Sequence, residues 1–396
     1  MATNEGAAAS RREARRAARE KRRARIGGFD MPFLILLLLV LSIGLICMFS
    51  ASYVYAYYND NDSYYYIKRQ MVFALIGVAA MLIASCIDYH FWQKMAIPLM
   101  AVSLILLGVV LLLPSSIGVH RWIRLPGIGQ FQPSEIAKFA LILLFALIIS
   151  RNQKWMKTFL GGFLPFILIL GVTCGLVLIE PHLSGTILLL SIGLVMMFVG
   201  GTRPAYLIGL IALGMVAAYF MVFKLGYEYD RVQVWLDPFG SYANGMKDEA
   251  WQTVQSLYAI GSGGLLGQGL GNSRQKHLFL PEPQNDFVFA VVCEELGFVG
   301  AVLIILLFAA LVWRGFTIGM KAPDKFGSML AIGLSAQIGL QVALNLAVVS
   351  NVIPNTGISL PFFSYGGTSL VMLLGQMGIV LAVSRQSRGI QAPAAG

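Results

Sequence analysis

The sequence predicts an all-α polytopic membrane protein. It has ten transmembrane helices and a long extracellular loop between spans 7 and 8. Three observations carry this. Of the 396 residues, 57% are hydrophobic and 12% are charged, where soluble domains carry about 25% charged residues. The mean hydropathy is +0.74. The apolar residues also fall in runs of about twenty, the length at which a helix crosses a bilayer.

The chain opens with a basic tail, residues 1–30. Nine of its 29 Lys and Arg lie before residue 26, in "RREARRAAREKRRAR". This reads as a disordered cytoplasmic tail that fixes topology by the positive-inside rule. A net charge of +10 does not point to nucleic acid, because no folded basic domain accompanies the tail. The next run, "MPFLILLLLVLSIGLICMFS", is too long for a signal peptide, and no small-residue cleavage site follows it.

The spans fall at 31–51, 71–88, 95–114, 135–150, 159–180, 184–200, 205–223, 286–313, 327–350 and 365–385, followed by a second cytoplasmic tail, 386–396. An even count with a basic amino terminus puts both ends inside. The remaining cations agree: nineteen Lys and Arg fall on the inner side and nine on the outer, with Lys138 inside a span. Five of the nine outer cations crowd into the loop at 224–285, which is too long to be a simple connection.

Within that loop, "DEAWQTVQSLYAIGSGGLL" sets Trp251, Val254, Leu257 and Tyr258 on one helical face, as in a helix lying on or dipping into the outer leaflet. The glycines of "GSGGLLGQGLGN" do not make a nucleotide-binding fingerprint, since no βαβ unit surrounds them. They suit tight turns near a phosphate-bearing ligand. Two further outer loops, "PSSIGVHRWIRLPGIGQFQPSEIAK" and "NVIPNTGISLPFFSYGGTS", are rich in Gly, Pro, Asn and Ser. Irregular backbone near membrane depth needs protein or water around it. Three such segments on one side imply an outward-opening cavity.

Four cysteines (47, 86, 174 and 293) sit in separate apolar runs and read as packing residues. Four histidines (90, 120, 182 and 277) are scattered. Neither set has metal-ligand spacing.

Ionisable residues in apolar surroundings are functional candidates. Glu135 and Lys138, three apart, suit a helical ion pair. Glu180, before Pro181 and His182, suits a cap or a function equally. Glu294 and Glu295 lie about 12–13.5 Å along the helix from Asp286. As neighbours they cannot share a face, so at least one needs a partner inside the bundle. Asp286 stands at the outer edge of a span, after a loop carrying Arg231, Arg274 and Lys276. Desolvation raises a carboxylate's pKa and nearby cations lower it, which suits a general base. The cations suit a pyrophosphate leaving group. A helix N-cap explains Asp286 as well.

At these residues the sequence resembles the SEDS family (shape, elongation, division and sporulation), ten-span bacterial peptidoglycan glycosyltransferases. The matching stretches are "QPSEIAKFALI", "WLDPF", "QSLYAIGSGGLLGQGLGNSRQKHLFLPEPQNDFVFAVVCEELGFVG" and "PNTGISLPFFSYGGTSL". "GLGNSRQKHLFLPEP" is closer to the FtsW/SpoVE division-and-sporulation branch than to RodA.

The resemblance implies polymerisation of lipid II at the outer face of the bacterial cytoplasmic membrane, at the division septum. Asp286 matches the family's catalytic base. Undecaprenyl pyrophosphate leaves, and Lys276, Arg274, Arg231 and Arg121 are assigned to that pyrophosphate. Glu135, Lys138, Glu294, Glu295 and Ser364 are placed as cavity-lining or structural groups. The resemblance leaves room for an assisting divalent cation, magnesium or manganese, although the sequence shows no dedicated metal cage. The expected partners are a class B penicillin-binding protein that cross-links the strand, other division proteins and membrane lipids.

One departure stands out. Many members read Q-P-D-L-G-T where this chain has "EPHLSGT", which leaves the role of the loop at 180–184 open. Two rival readings also stay open, a lipid II flippase and a non-catalytic division scaffold. A flippase needs charges lined up across the bilayer, whereas most candidates here gather at the outer face.

Overall fold

The computed structural model describes residues 27–113, 121–125, 129–224 and 226–391. Most of the basic tail and the end of the chain lie outside them.

Among the described residues, ten helices are long and apolar enough to cross a membrane. They are α1 Met31–Asp60, α2 Tyr65–Cys86, α3 His90–Leu112, α4 Pro133–Arg151, α5 Phe159–Ile179, α6 Leu183–Gly200, α7 Pro204–Phe223, α11 Val288–Met320, α12 Lys325–Val349 and α13, which begins at Gly367 and runs to Gln391. Between α7 and α11 the long loop holds α8 Tyr229–Leu236, α9 Pro238–Ala243 and α10 Lys247–Ser262. The small departure from an all-helical chain is an antiparallel hairpin, β1 Ile123–Leu125 with β2 Gly129–Phe131.

Most boundaries fall within a few residues of the expected spans, but α1 does not. Its apolar run is followed by "ASYVYAYYND", in which the helix simply continues. Thirty residues at 1.5 Å each make about 45 Å, roughly 15 Å more than a bilayer's hydrocarbon core. The tyrosine-rich end of α1 therefore stands proud of the membrane on the face that carries the long loop.

The bundle has a centre and a periphery. In α4, 78% of the span is buried, and in α12 and α13 67%; in α7 the figure is 6%. Small residues bring the central helices close, as bilayer packing favours. A Cβ on Gly378 of α13 would stand 2.2 Å from the carbonyl oxygen of Met81 in α2. On the opposite face Asp30 caps α1 through the Phe33 amide (3.1 Å) and takes both arms of the Arg314 guanidinium at 2.8 Å, tying α1 to α11.

The feature that positions the site is a break in α11. Gly297 leaves the helix at φ 66°, ψ −170°. The amides of Phe298 and Val299 then turn to the carbonyls of Gly264 and Leu265 (2.9 and 3.1 Å). In exchange, the carbonyls of Glu294 and Glu295 accept from Gln268 and Gly269, each at 3.0 Å. The glycine-rich loop is thus inserted into the helix as a backbone patch. Gly267 has φ +80°, and a Cβ there would lie 2.2 Å from the Glu295 carbonyl oxygen. The expected tight turns exist, and their immediate neighbour is this helix break.

The buried face of α10 differs from the expected one. Val254 is buried beside Ala250, Ser256 and Ala259, while Tyr258 is half exposed and packs on Phe239. The Ser256 hydroxyl donates to the Val349 carbonyl (2.8 Å) at the end of α12. Small residues let the two helices touch, and the larger ones are left outside.

A methyl group at Gly267 meets both a backbone clash and left-handed strain of roughly 1–3 kcal/mol. Gly267→Ala is expected to lower the melting temperature of the detergent-solubilised protein by several degrees. Gly214→Ala, on the open surface of α7, is expected to leave it unchanged or slightly raised.

Candidate functional site

A cavity of about 1170 Å³ opens on the loop face. Four parts of the chain line it: the α1–α2 turn (Asp60, Tyr65, Tyr66, Lys68, Arg69), the approach to α4 (Arg121, Trp122, Gln130, Gln132, Glu135), His182 before α6, and the turn at Asn285 and Asp286 with Gly357, Ser359 and residues 365–369. All three irregular loops take part.

Asp286 lies in the turn just before α11. The helix starts at Val288, and its N-cap position is Phe287, with no side-chain cap bond. The helix-cap role is therefore not taken by Asp286. Its main chain is held from two sides. The Asn345 amide nitrogen on α12 donates to the carbonyls of Asp286 (2.7 Å) and Ile358 (2.6 Å). Ser364 accepts from the Leu360 amide at 2.7 Å and donates to the Asn285 carbonyl at 2.8 Å. The Tyr365 amide reaches the Gln284 carbonyl at 2.8 Å.

The carboxylate itself has no hydrogen bond among the described residues. Gly357, at φ +73°, brings bare backbone close, since a Cβ there would stand 3.2 Å from Oδ2. Burial pushes the Asp286 pKa up to about 6; Glu282 adds to the rise and Arg121 opposes it. A carboxylate ionised at neutral pH yet more basic than usual suits proton abstraction.

One wall is polar. Arg121 donates to the main-chain carbonyls of Glu180 (3.4 Å) and Pro181, so no acid in that wall neutralises it directly. Lys138 donates to Glu135 at 2.7 Å, both buried. This is the expected i, i+3 pair, with its acid facing the cavity. Gln132 meets the His182 ring at 3.3 and 3.4 Å. Burial, then Arg121 and Lys138, push His182 down to about 3, so the ring is neutral. Glu180 is fully buried with both carboxylate oxygens unpartnered. Burial raises it to about 8 against the pull of Arg121, and it holds a proton at neutral pH.

Of the four cations assigned to pyrophosphate, Arg121 lines this cavity. Arg231 pairs with Glu228 at 2.8 Å and donates to the Asn355 carbonyl at 3.3 Å. Arg274 is exposed, with its amide held by Glu294 at 2.9 Å. Lys276 is directed away altogether. Its fully buried ammonium donates to Glu295 at 2.7 Å and sits over the Tyr53 ring at 4.7 Å. A lysine with no exposed surface and a carboxylate in contact has no charge left for a ligand.

The adjacent acids are also accounted for. Glu294 accepts from the Ser273 hydroxyl and the amides of Arg274 (2.9 Å) and Gln275 (3.3 Å). Glu295 accepts from Lys276, the Ser273 amide (3.4 Å) and Ser50 on α1 (2.7 and 2.8 Å). Both neighbours are buried because the loop wraps over the end of the first half of α11 and serves both.

Sequence reasoning passes over Asp60, Tyr65, Tyr66 and Tyr365 as cavity residues, and Asn345 as the anchor of Asp286; His182, in the loop whose role it leaves open, lines the cavity. The tyrosine run was the available signal. Asn345 gave none, being one polar residue in an apolar span. Among the described residues no group of three or more His, Cys, Asp or Glu is placed to hold a metal ion.

A family model described as a cell cycle protein, FtsW/RodA/SpoVE, matches residues 30–389. The chain belongs to the FtsW/RodA/SpoVE family. Within that family it is 42% identical over 370 residues to stage V sporulation protein E of Bacillus subtilis (strain 168), covering 91% of this chain and 98% of that one. It is 39% identical over 368 residues to a probable peptidoglycan glycosyltransferase FtsW of Geobacter sp. (strain M18), covering 92% and 99%. Among solved structures it is similar to a chain of a peptidoglycan synthase complex, with a TM-score of 0.74 and 28% identity over 91% of this chain and 98% of that one. It is also similar to the rod shape determining protein RodA of Thermus thermophilus, at 0.66 and 27% over 90% and 97%. The ten-span helical fold is the fold of these relatives.

Two outcomes follow for the site's supports. Lys276→Met leaves Glu295 buried without its cation, which costs about 3–5 kcal/mol, and Glu295→Gln in the same chain is expected to recover part of the lost melting temperature. The raised pKa of Glu180 means the folded state holds this proton more tightly than the unfolded chain does. Stability is therefore lost as pH climbs from the ordinary 4.5 towards 8. Glu180→Gln is expected to raise the melting temperature at the top of that window and to change little below it.

Proposed function

We propose that this protein is a peptidoglycan glycosyltransferase that polymerises lipid II at the outer face of the membrane, with Asp286 as general base. The observation that carries the assignment is a basic carboxylate at the mouth of a span, without a hydrogen bond among the described residues, in a cavity that Arg121 also lines. Asp286 takes the proton of the acceptor GlcNAc 4-hydroxyl. That oxygen bonds to the anomeric carbon of the donor MurNAc, the carbon–oxygen bond to pyrophosphate breaks, and undecaprenyl pyrophosphate leaves with inversion. Direct displacement needs one base and a stabilised leaving group rather than the carboxylate pair of a hydrolase. Arg121, bonded among the described residues to carbonyls alone, keeps its charge for the pyrophosphate.

The edge position suits the substrate, whose sugars are in water and whose lipid is in the bilayer. Both tails lie in the cytoplasm, and the protein works at the division septum beside a class B penicillin-binding protein that cross-links the strand. A flippase reading would need Glu294 and Glu295 on a transmembrane path. Their bonds to the loop and to α1 count against it.

With labelled lipid II and the purified complex, Asp286→Asn is expected to cut strand formation by at least about 100-fold, the span of a general base, with folding and partner binding intact. Undiminished polymer returns Asp286 to a structural role. In the wild type the rate should rise with pH through a midpoint near 6. Glu282→Gln should move that midpoint down and Arg121→Gln should move it up.

A further inference from the structure

We propose that the tyrosine wall formed by Tyr65, Tyr66 and Tyr365 is a saccharide subsite that holds the acceptor sugar. The inference rests on the glycosyl-transfer reading above and adds to it a place for the second substrate.

The cavity, at about 1170 Å³, exceeds the roughly 300–1,000 Å³ that encloses one small ligand. Its lining falls into two sets that differ in chemistry. The residues from Arg121 to Glu135, with His182, are mostly polar. Those around Tyr65, Tyr66 and Tyr365 are aromatic, with a carboxylate and an arginine set among the rings. Tyr66 meets Tyr365 edge to face at 4.8 Å and Tyr65 at 5.1 Å. The Arg69 guanidinium lies over Tyr65 at 4.1 Å. Asp60 Oδ2 is buried without a hydrogen-bond partner among the described residues, and the carboxylate acts on the adjacent Tyr66 hydroxyl.

A pyranose ring presents apolar C–H faces, which aromatic rings cover, and a rim of hydroxyls, which a carboxylate and a guanidinium bind. Rings, acid and arginine on one wall match that pattern. They match a pyrophosphate poorly, because the acid repels it.

These tyrosines are not simply a membrane-interface belt. A belt points outward to lipid headgroups; Tyr57 and Tyr58 on the same hairpin do point outward, at 59% and 63% exposed. Tyr65, Tyr66 and Tyr365 are half-buried and turned into the cavity.

The wall also adjoins the base. The Tyr365 amide is bonded to the Gln284 carbonyl, two residues from Asp286. A donor that brings its pyrophosphate to Arg121 leaves this wall to the acceptor.

The test uses the complex with its transpeptidase partner, labelled lipid II, and penicillin to keep strands uncross-linked. Tyr65→Leu, Tyr66→Leu and Tyr365→Leu are compared with Tyr57→Leu. Losing a ring is expected to raise the lipid II concentration for half-maximal rate about tenfold and to shorten the strands. Tyr66→Phe, which keeps the ring, should restore most of both, and Tyr57→Leu should match wild type. Wild-type concentration dependence and strand length in all three cavity variants would overturn the proposal, as would an equal defect in Tyr57→Leu.

Should the leucine variants fail to fold, saturation-transfer NMR of lipid-free GlcNAc-MurNAc disaccharide with the wild-type complex decides. Transfer to the sugar on irradiation of aromatic protons, kept in Tyr66→Phe/Tyr365→Phe, supports the subsite, and no transfer to the wild type sinks it. Asp286→Asn separates the two readings. It should still bind the disaccharide while making no polymer. Full polymerisation by Asp286→Asn refutes the base and leaves the subsite to stand on its own strand lengths.

Discussion

The buried pair of Lys276 and Glu295, at 2.7 Å with almost no exposed surface on either partner, is the constraint on which the site depends. A carboxylate in a span is costly unless it is paired and hydrogen-bonded. Here the partner comes from the loop, not from another helix. Satisfying Glu295 therefore pins the segment at 273–276 against α11 and, through Ser50, against α1. The segment that ends in Asp286 starts from that pinned point.

The break at Gly297 makes the pinning two-layered. In an unbroken helix the carbonyls of Glu294 and Glu295 would take amides from residues 298 and 299. Once Gly297 diverts the chain, those groups exchange partners with the loop at 264–269. Backbone and side chains of the same two residues are thus committed to one loop. On the other side Asn345 fixes the Asp286 and Ile358 carbonyls together, and Ser364 closes the third edge. Asp286 is thus held by its main chain, while its carboxylate takes no hydrogen bond among the described residues.

Much of this was legible in the sequence. The spans were visible because hydrocarbon tolerates so few polar residues that their absence marks the helices. Asp286 stood out because a charge at the edge of an apolar run has few explanations, and the Glu135–Lys138 pair followed from helical spacing. The role of Lys276 was misjudged because proximity in sequence to other cations says nothing about where an ammonium points. Glu294 and Glu295 were read as a conflict of faces, since helical geometry alone does not reveal a loop that can serve both.

The sequence by itself determined the number and rough limits of the spans and marked the charged residues set at their edges, Asp286 among them. Each of these depends on local composition, on which the bilayer imposes a strong and uniform rule. Only the tertiary structure decided which charges reach the cavity, which are consumed in holding the loop, and that the tyrosines after α1 line the same cavity as Arg121. Those outcomes depend on pairing between residues hundreds of positions apart, such as Ser50 with Glu295 and Gln70 with Ser364. A buried charge has to find some partner, but composition does not say which.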